Sequence, residues 1–264
     1  MSNSTRFEVT VLGSGTSTGV PVIGCSCDIC KSTSPYNKRL RSSIFISDKK
    51  LGRNILIDTT PDLREQLLRE NIHSIDYVFF THTHADHCHG LDDLRPLFFR
   101  ERKTMKVWAD PDHEIELRDR FYYMFRDTGY AGIKPSLEFL TKEELLEDFT
   151  DPFIETASLP HGSTNSTLFK LGSFLYATDF KTFPEELIEK WKGKIEVMIA
   201  SAPTYKPHGT HSSIPETIEI FKKLEVKEGY LTHLSHQVDH KTHSLNLSKN
   251  IFFAYDGLKL QVNP

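Results

Sequence analysis

The stretch Tyr77-Val78-Phe79-Phe80-Thr81-His82-Thr83-His84-Ala85-Asp86-His87 decides how the chain is read. It opens as an apolar run of strand length and closes with four metal-ligand side chains in six residues, His82 to His87. On an extended strand end His82 and His84 point to one side, because side chains two apart share a face. Asp86 and His87 lie beyond the strand, where the chain must turn, and an adjacent carboxylate and imidazole there suit a second ion beside the first. Neutral imidazole and carboxylate favour zinc, manganese or iron. Their clustering in one loop makes a site able to activate water.

Working outward, hydrophobic periodicity predicts strands at 7–12, 43–47, 55–58, 77–81, 106–109, 153–157, 167–171, 174–178, 197–201, 229–232 and 258–262. Helices are expected at 61–70, 111–125, 142–147, 184–192 and 215–224, several of them opened by proline. This mixture fits two sheets with helices outside. A two-ion site needs more ligands than one loop supplies, and suitable residues stand at other strand ends. His161 follows the strand near Ile154, Asp179 closes the strand before it, and His233 follows Tyr230-Leu231-Thr232. Strand ends gather functional groups onto a rigid scaffold. Asp58 closes another strand and suits a role behind the ligands, accepting the free N–H of a ligating histidine, or else serves as a plain turn residue. Asp92 and Asp93 share that ambiguity with helix capping.

Three of the 4 cysteines crowd into Cys25-Ser26-Cys27-Asp28-Ile29-Cys30. They are too close together for a disulfide framework and well suited to a thiolate metal site in a reducing compartment, one ligand short of a closed tetrahedron. Cys88 reads as a small buried residue. Gly13, Gly15 and Gly19 lack the Gly-x-Gly-x-x-Gly spacing of a dinucleotide fingerprint. They are expected to form a turn near the metal site, with Gly15 or Thr16 approaching a substrate phosphate. Arg39 and Arg41 are further candidates for a phosphate contact.

The chain has 264 residues, 38% of them hydrophobic and 26% charged, with a formal net charge of −4. No linker or long charge run divides it, so a single domain over 1–264 is expected, with a partly helical, aromatic-rich segment at 95–150 whose rings form core, a gorge wall or a dimer interface. The negative balance gives no global attraction to nucleic acid or anionic membranes. The apolar stretches are strand-sized and the polar start lacks the apolar core of a signal peptide, which makes a cytoplasmic location the expectation.

The His-x-His-x-Asp-His pattern after a strand resembles that of the metallo-β-lactamase superfamily. More specifically, Leu12-Gly13-Ser14-Gly15-Thr16-Ser17-Thr18-Gly19-Val20-Pro21, Gly24-Cys25-Ser26-Cys27-Asp28-Ile29-Cys30, the His82 loop and Leu231-Thr232-His233-Leu234-Ser235-His236-Gln237 resemble the PhnP-type phosphodiesterases. These are similar to ribonuclease Z in fold and hydrolyse cyclic phosphate diesters. The likeness is collinear over about residues 9–257 and weakest across 95–150. It implies an α/β fold, the metallo-β-lactamase αββα sandwich of two central mixed sheets flanked by helices. It also implies that His82, His84 and His161 hold one ion, that Asp86, His87 and His233 hold another, and that Asp179 bridges them. The cofactors would be two divalent ions, manganese or zinc, and one structural zinc held by Cys25, Cys27, Cys30 and His236. His211, with His208 as a neighbouring alternative, would act as general acid or phosphate contact. The implied substrate is a small phosphodiester; a homodimer is compatible with the chain, and no nucleic-acid or membrane partner is expected. The alternatives are a ribonuclease Z-like nuclease, a PqqB-like protein, or a thioester or lactone hydrolase of the same superfamily.

Overall fold

The computed structural model describes residues 5–126, 129, 132 and 134–263. The polar start at 1–4 and five residues of the aromatic-rich segment (127, 128, 130, 131 and 133) lie outside this range. The first half of the chain forms β1 (Phe7–Gly13), β2 (Ser43–Asp48), β3 (Arg53–Ile57), β4 (Tyr77–Phe79), β5 (Met105–Trp108) and β6 (Leu137–Phe139). The second half forms β7 (Ile154–His161), β8 (Thr164–Leu171), β9 (Phe174–Ala177), β10 (Val197–Ser201), β11 (Glu228–Thr232), β12 (Ile251–Phe253) and β13 (Lys259–Val262). One sheet has the order β13-β1-β2-β3-β4-β5-β6 and the other the order β12-β11-β10-β9-β8-β7. Both are mixed: β3 to β6 run parallel, as do β9 to β12, while the remaining neighbours pair antiparallel.

The layering follows from side-chain alternation. Ile55 and Ile57 of β3 face the core between the sheets, whereas Leu56 joins a second cluster on the outer side. In the other sheet Phe174 and Tyr176 of β9 and Val197 and Ile199 of β10 fill the inter-sheet core, and Leu175, Ala177, Met198 and Ala200 face outward into a third cluster. Strands buried on both faces need helices outside them. Those helices are α1 (Asp28–Lys31), α2 (Leu63–Arg69), α3 (Ala85–Cys88), α4 (Arg95–Glu101), α5 (Pro111–Arg120), α6 (Tyr122–Phe125), α7 (Lys142–Asp148), α8 (Glu185–Trp191), α9 (Ile214–Lys223) and α10 (His240–Ser244). The result is helix, sheet, sheet, helix: the expected αββα sandwich. No helix among the described residues is long and apolar enough to cross a membrane.

The differences from the sequence expectations have local causes. The expected helix at 111–125 breaks at Phe121, and β6 and β12 are three-residue edge strands too short to show a period. The aromatic-rich segment supplies core: Phe121 and Met124 are buried in the outer cluster, with Phe98, Tyr123 and Phe125 packed against it. Parallel pairing carries the C-terminal ends of β3 and β4 to one rim, and those of β9 and β11 likewise. β7 joins the latter pair, since it runs antiparallel to β8 and β8 antiparallel to β9. A backbone hydrogen bond from Thr167 N–H to Thr81 O at 2.7 Å ties the two sheets together at that rim.

α9 shows how tightly helices sit on the sheets. A Ser213–Glu216 capping box starts it, and Ile214, Thr217 and Phe221 form its buried stripe. A Cβ on Gly229 of β11 would lie 2.4 Å from the Phe221 ring, so only glycine lets the helix dock at this depth. Gly229→Ala is expected to cost about 1–3 kcal/mol through overpacking, read as a fall in Tm on thermal melting. An unchanged Tm would show that Phe221 yields freely.

Candidate metal centre

The rim collects side chains from both halves of the chain. β4 delivers His82 and His84, α3 presents Asp86 and His87, β7 ends on His161, and the turns after β9 and β11 supply Asp179 and His233. These seven form two groups that share Asp179: His82, His84, His161 and Asp179, and Asp86, His87, Asp179 and His233, with the donor atoms of each group within 4.8 Å of one another. In the first, His84 Nδ1 lies 3.0 Å from His82 Nε2 and 3.3 Å from His161 Nε2, with Asp179 Oδ2 at 3.8 and 3.7 Å from those two Nε2 atoms. In the second, His87 Nε2 is 3.2 Å from Asp86 Oδ2 and 3.5 Å from Asp179 Oδ2, and His233 Nδ1 is 3.2 Å from Asp179 Oδ1. Ligands on a tetrahedral zinc ion stand about 3.3 Å apart, given metal–nitrogen bonds of about 2.0–2.1 Å. Both groups therefore have the spacing of a coordination shell, and all seven residues singled out by the sequence meet.

A layer of polar contacts behind the donors fixes them. Asp58 Oδ2 accepts from His87 Nδ1 at 2.7 Å, and the same carboxylate accepts from Thr81 N–H and Oγ1–H, each at 2.8 Å, so Asp58 does stand behind a candidate ligand. The Thr210 carbonyl holds His161 Nδ1 at 3.0 Å, leaving Nε2 for an ion. Thr81 Oγ1 lies 3.0 Å from His82 Nδ1, and Ser42 Oγ lies 3.3 Å from His233 Nδ1. Thr81 and Thr210 carry no sequence signal for this role, and Ser42 meets the same His233 nitrogen that faces Asp179.

Asp58, Asp179 and His233 all have positive φ, at 68°, 54° and 58°. The other non-glycine residues of this kind, Asn71, Arg102 and Glu225, stand at or just beyond helix C-termini, where left-handed backbone is ordinary. At the rim, Asp58 and His233 instead follow directly on a strand and Asp179 stands two residues past one, where strain is held by the surrounding site.

Charge explains the rest of the geometry. Burial pushes the Asp179 carboxyl up, but His233, His87 and His82 outweigh it and hold the group well below the carboxylate range. Burial lowers His82 well below its ordinary value and also lowers His84 and His233, leaving neutral imidazoles able to ligate. His87 goes the other way: burial pulls it down, yet Asp86, Asp179 and Asp58 hold it well above its ordinary value. Its Nε2 is buried without a hydrogen-bond partner. The chain thus keeps a proton among three carboxylates where a divalent ion fits.

The cysteine site is built to the same standard. Cys25, Cys27 and Cys30 Sγ lie 3.3, 3.6 and 3.6 Å from His236 Nδ1, close to the roughly 3.5 Å expected around a tetrahedral zinc ion with three sulfurs and one nitrogen. The Cys30 N–H directed at Cys27 Sγ lowers that thiol to about 6, while burial raises Cys30.

The other candidates separate clearly. Among the candidate residues, His211 lines a 210 Å³ cavity over the seven-residue cluster, its ring 4.8 Å from that of His161 and 5.2 Å from that of His233. His208 is exposed and accepts from Thr210 N–H at 3.3 Å. Arg39 does not reach the cavity: it is buried and donates to backbone carbonyls. Arg41 pairs with Asp62 and donates to the Ser17 carbonyl, so it shapes the cavity wall rather than facing a ligand. Gly15 and Thr16 spend their N–H groups on Leu40 and Leu234 carbonyls, and neither is among the residues lining the cavity. Asp92 pairs with Arg95, and neither Asp92 nor Asp93 lines the cavity. Cys88 is buried, and burial raises its thiol to about 11.

The family model for the β-lactamase superfamily domain matches residues 53–234. A protein named octanoyltransferase from Porphyromonas gingivalis (strain ATCC BAA-308 / W83) is 36% identical over 251 residues, 94% of this chain but 50% of its own length, so the chain spans half of that relative. The crystal structure of a diphosphatase from the PhnP family superposes with a TM-score of 0.87 at 37% identity, covering 98% of each chain. Zinc-bound PqqB from Methylobacterium extorquens superposes with a TM-score of 0.76 at 19% identity over 97% of this chain and 100% of its own, a likeness of fold alone.

Two outcomes are expected from the charge pattern. Filling the His87 side should displace its proton, so calorimetric titration in buffers of different protonation enthalpy should show release of about one proton per chain, with affinity weakening as pH falls because protons compete for His87. Heats independent of buffer would refute this. Cys27→Ser or His236→Ala should lower Tm and solubility more than turnover per folded molecule at saturating metal; variants that melt like the parent but lose catalysis would make the cysteine site catalytic.

Proposed function

The chain belongs to the metallo-β-lactamase superfamily, in its PhnP family; from that premise we propose that it is a hydrolase that cleaves small phosphodiesters, cyclic phosphates among them, at a two-ion centre. The observation that carries this reading is the pair of four-donor groups sharing Asp179 beneath a small polar cavity. His82, His84, His161 and Asp179 would hold one divalent ion, manganese or zinc, and Asp86, His87, Asp179 and His233 the other. When bound, such ions lower the pKa of water to near neutrality and offset the charge that develops on a phosphoryl group.

The chain's own residues do the rest. The cavity wall is made by Ser17, Gly162, Ser163, Thr210, His211 and metal-site residues, with no large apolar side chain. Such a lining offers hydrogen bonds to phosphoryl and hydroxyl oxygens and nothing to a fatty chain. This favours a phosphodiester over a long-chain acyl thioester, and the transferase name of the half-matching relative describes a protein twice the length of the shared region. Cys25, Cys27, Cys30 and His236 would hold a structural zinc. The His211 ring lines the cavity beside His161 and His233, which supports a role in protonating the leaving oxygen. Burial and the neighbouring His233, His161 and His208 hold His211 down to about 3 despite Asp179, so it enters neutral; a phosphodiester anion beside it favours protonation. The narrow cavity and the net charge of −4 support a small ester rather than nucleic acid as partner.

A panel of cyclic phosphates, linear diesters, monoesters, thioesters and lactones tests the assignment, with cyclic and linear diesters expected to be turned over and monoesters poorly. Thioester or lactone cleavage without diesterase activity would replace it. His211→Ala is expected to slow alkyl diesters by about 10²-fold or more and p-nitrophenyl diesters far less, since nitrophenolate leaves without a proton. Equal losses on both would remove the acid role.

A further inference from the structure

Arg39 is 1% exposed, and its guanidinium makes no ion pair among the described residues. It donates instead to Ser235 O at 2.9 Å, Val238 O at 2.8 Å and Asn37 Oδ1 at 3.1 Å. Burial lowers it to about 10, which leaves it charged at neutral pH. A desolvated cation is costly to keep, so its contacts need a reason. Ser235 lies between His233, a donor of the rim cluster, and His236, the donor that completes the thiolate group. Arg39 also exchanges two backbone hydrogen bonds of 2.8 Å with Val20, at the entrance to the cysteine loop. The Gly15 turn packs so closely on it that a Cβ there would stand 2.9 Å from both Arg39 Cβ and Arg39 O. One residue therefore touches the cysteine-loop entrance and the Gly15 turn through its backbone and Cβ, and the His233–Val238 segment through its guanidinium.

We infer that Arg39 is a positioning residue that couples the thiolate group to the His233 side of the rim cluster. Fixing His236 in the thiolate group fixes the Ser235 carbonyl on the guanidinium, and the same short segment then presents His233. The His82, His84 and His161 donors come from β4 and β7, which the Arg39 side chain does not hydrogen-bond, so the coupling has no direct route to that ion beyond the shared Asp179. The inference rests on the proposal that both rim groups and the cysteine group bind ions.

Cadmium-113 NMR with competition by a chromophoric chelator tests it, because thiolate-bound cadmium resonates apart from nitrogen- and oxygen-bound cadmium, and a His233→Ala reference identifies the second rim ion. Cys27→Ser is expected to weaken the His233-side ion at least tenfold while leaving the other rim ion at its parental affinity. Arg39→Met should do the same, and the double variant should be no worse than either single one, which is the signature of a shared route. Losses that multiply in the double variant, or a Cys27→Ser protein with both rim affinities at parental values, would overturn the coupling. The latter arm decides the matter even if Arg39→Met does not fold. A parent that binds no ion at the rim would instead refute the underlying metal reading.

Discussion

Asp179 carries a negative charge to a place that water barely reaches, and His233, His87 and His82 around it hold the carboxyl well below its ordinary range. Removing a carboxylate from water costs several kcal/mol unless it is paired, and an unpaired one protonates instead. Three other stretches of chain must therefore converge on the turn after β9 that carries Asp179: the β4 loop with its following helix, the end of β7 and the turn after β11. The sandwich achieves this with parallel strands whose ends reach a common rim. Where one stretch meets another, backbone bonds lock the approach, as Thr167 and Thr81 do between the sheets.

The same electrostatic logic separates the two ion groups. On the His82 side burial lowers His82 and His84 below their ordinary values, and the group's carboxylate is the shared one. The His87 side has two carboxylates of its own set plus Asp58 behind it, and holds a proton until something more positive arrives. Two ions bound side by side need not bind alike. The thiolate group, made from soft sulfur donors, takes no carboxylate at all and stands apart in chemistry while sharing a chain segment with its neighbour.

Most of the rim was legible in the sequence because its chemistry is local. His82, His84, Asp86 and His87 fall within one short loop, and the three cysteines within another, so spacing alone exposes them. His161, Asp179 and His233 were legible because each ends an apolar run that reads as a strand. The residues behind them were not: Thr81 and Thr210 act through a single hydroxyl or a carbonyl, which every threonine owns. Arg39 was misread for a related reason. Arginine is usually exposed, and only the fold shows that this one points inward to carbonyls. The short edge strands β6 and β12 escaped because three residues cannot display a period.

The left-handed backbone at Asp58, Asp179 and His233 has a further consequence. Glycine or asparagine would occupy those three φ values more comfortably than the residues present. Each position therefore sets the comfort of the backbone against the side chain the rim requires. Glycine at 58 would ease the backbone yet leave Thr81 and His87 without the carboxylate that accepts three of their hydrogen bonds, so backbone comfort and rim integrity pull in opposite directions at one residue.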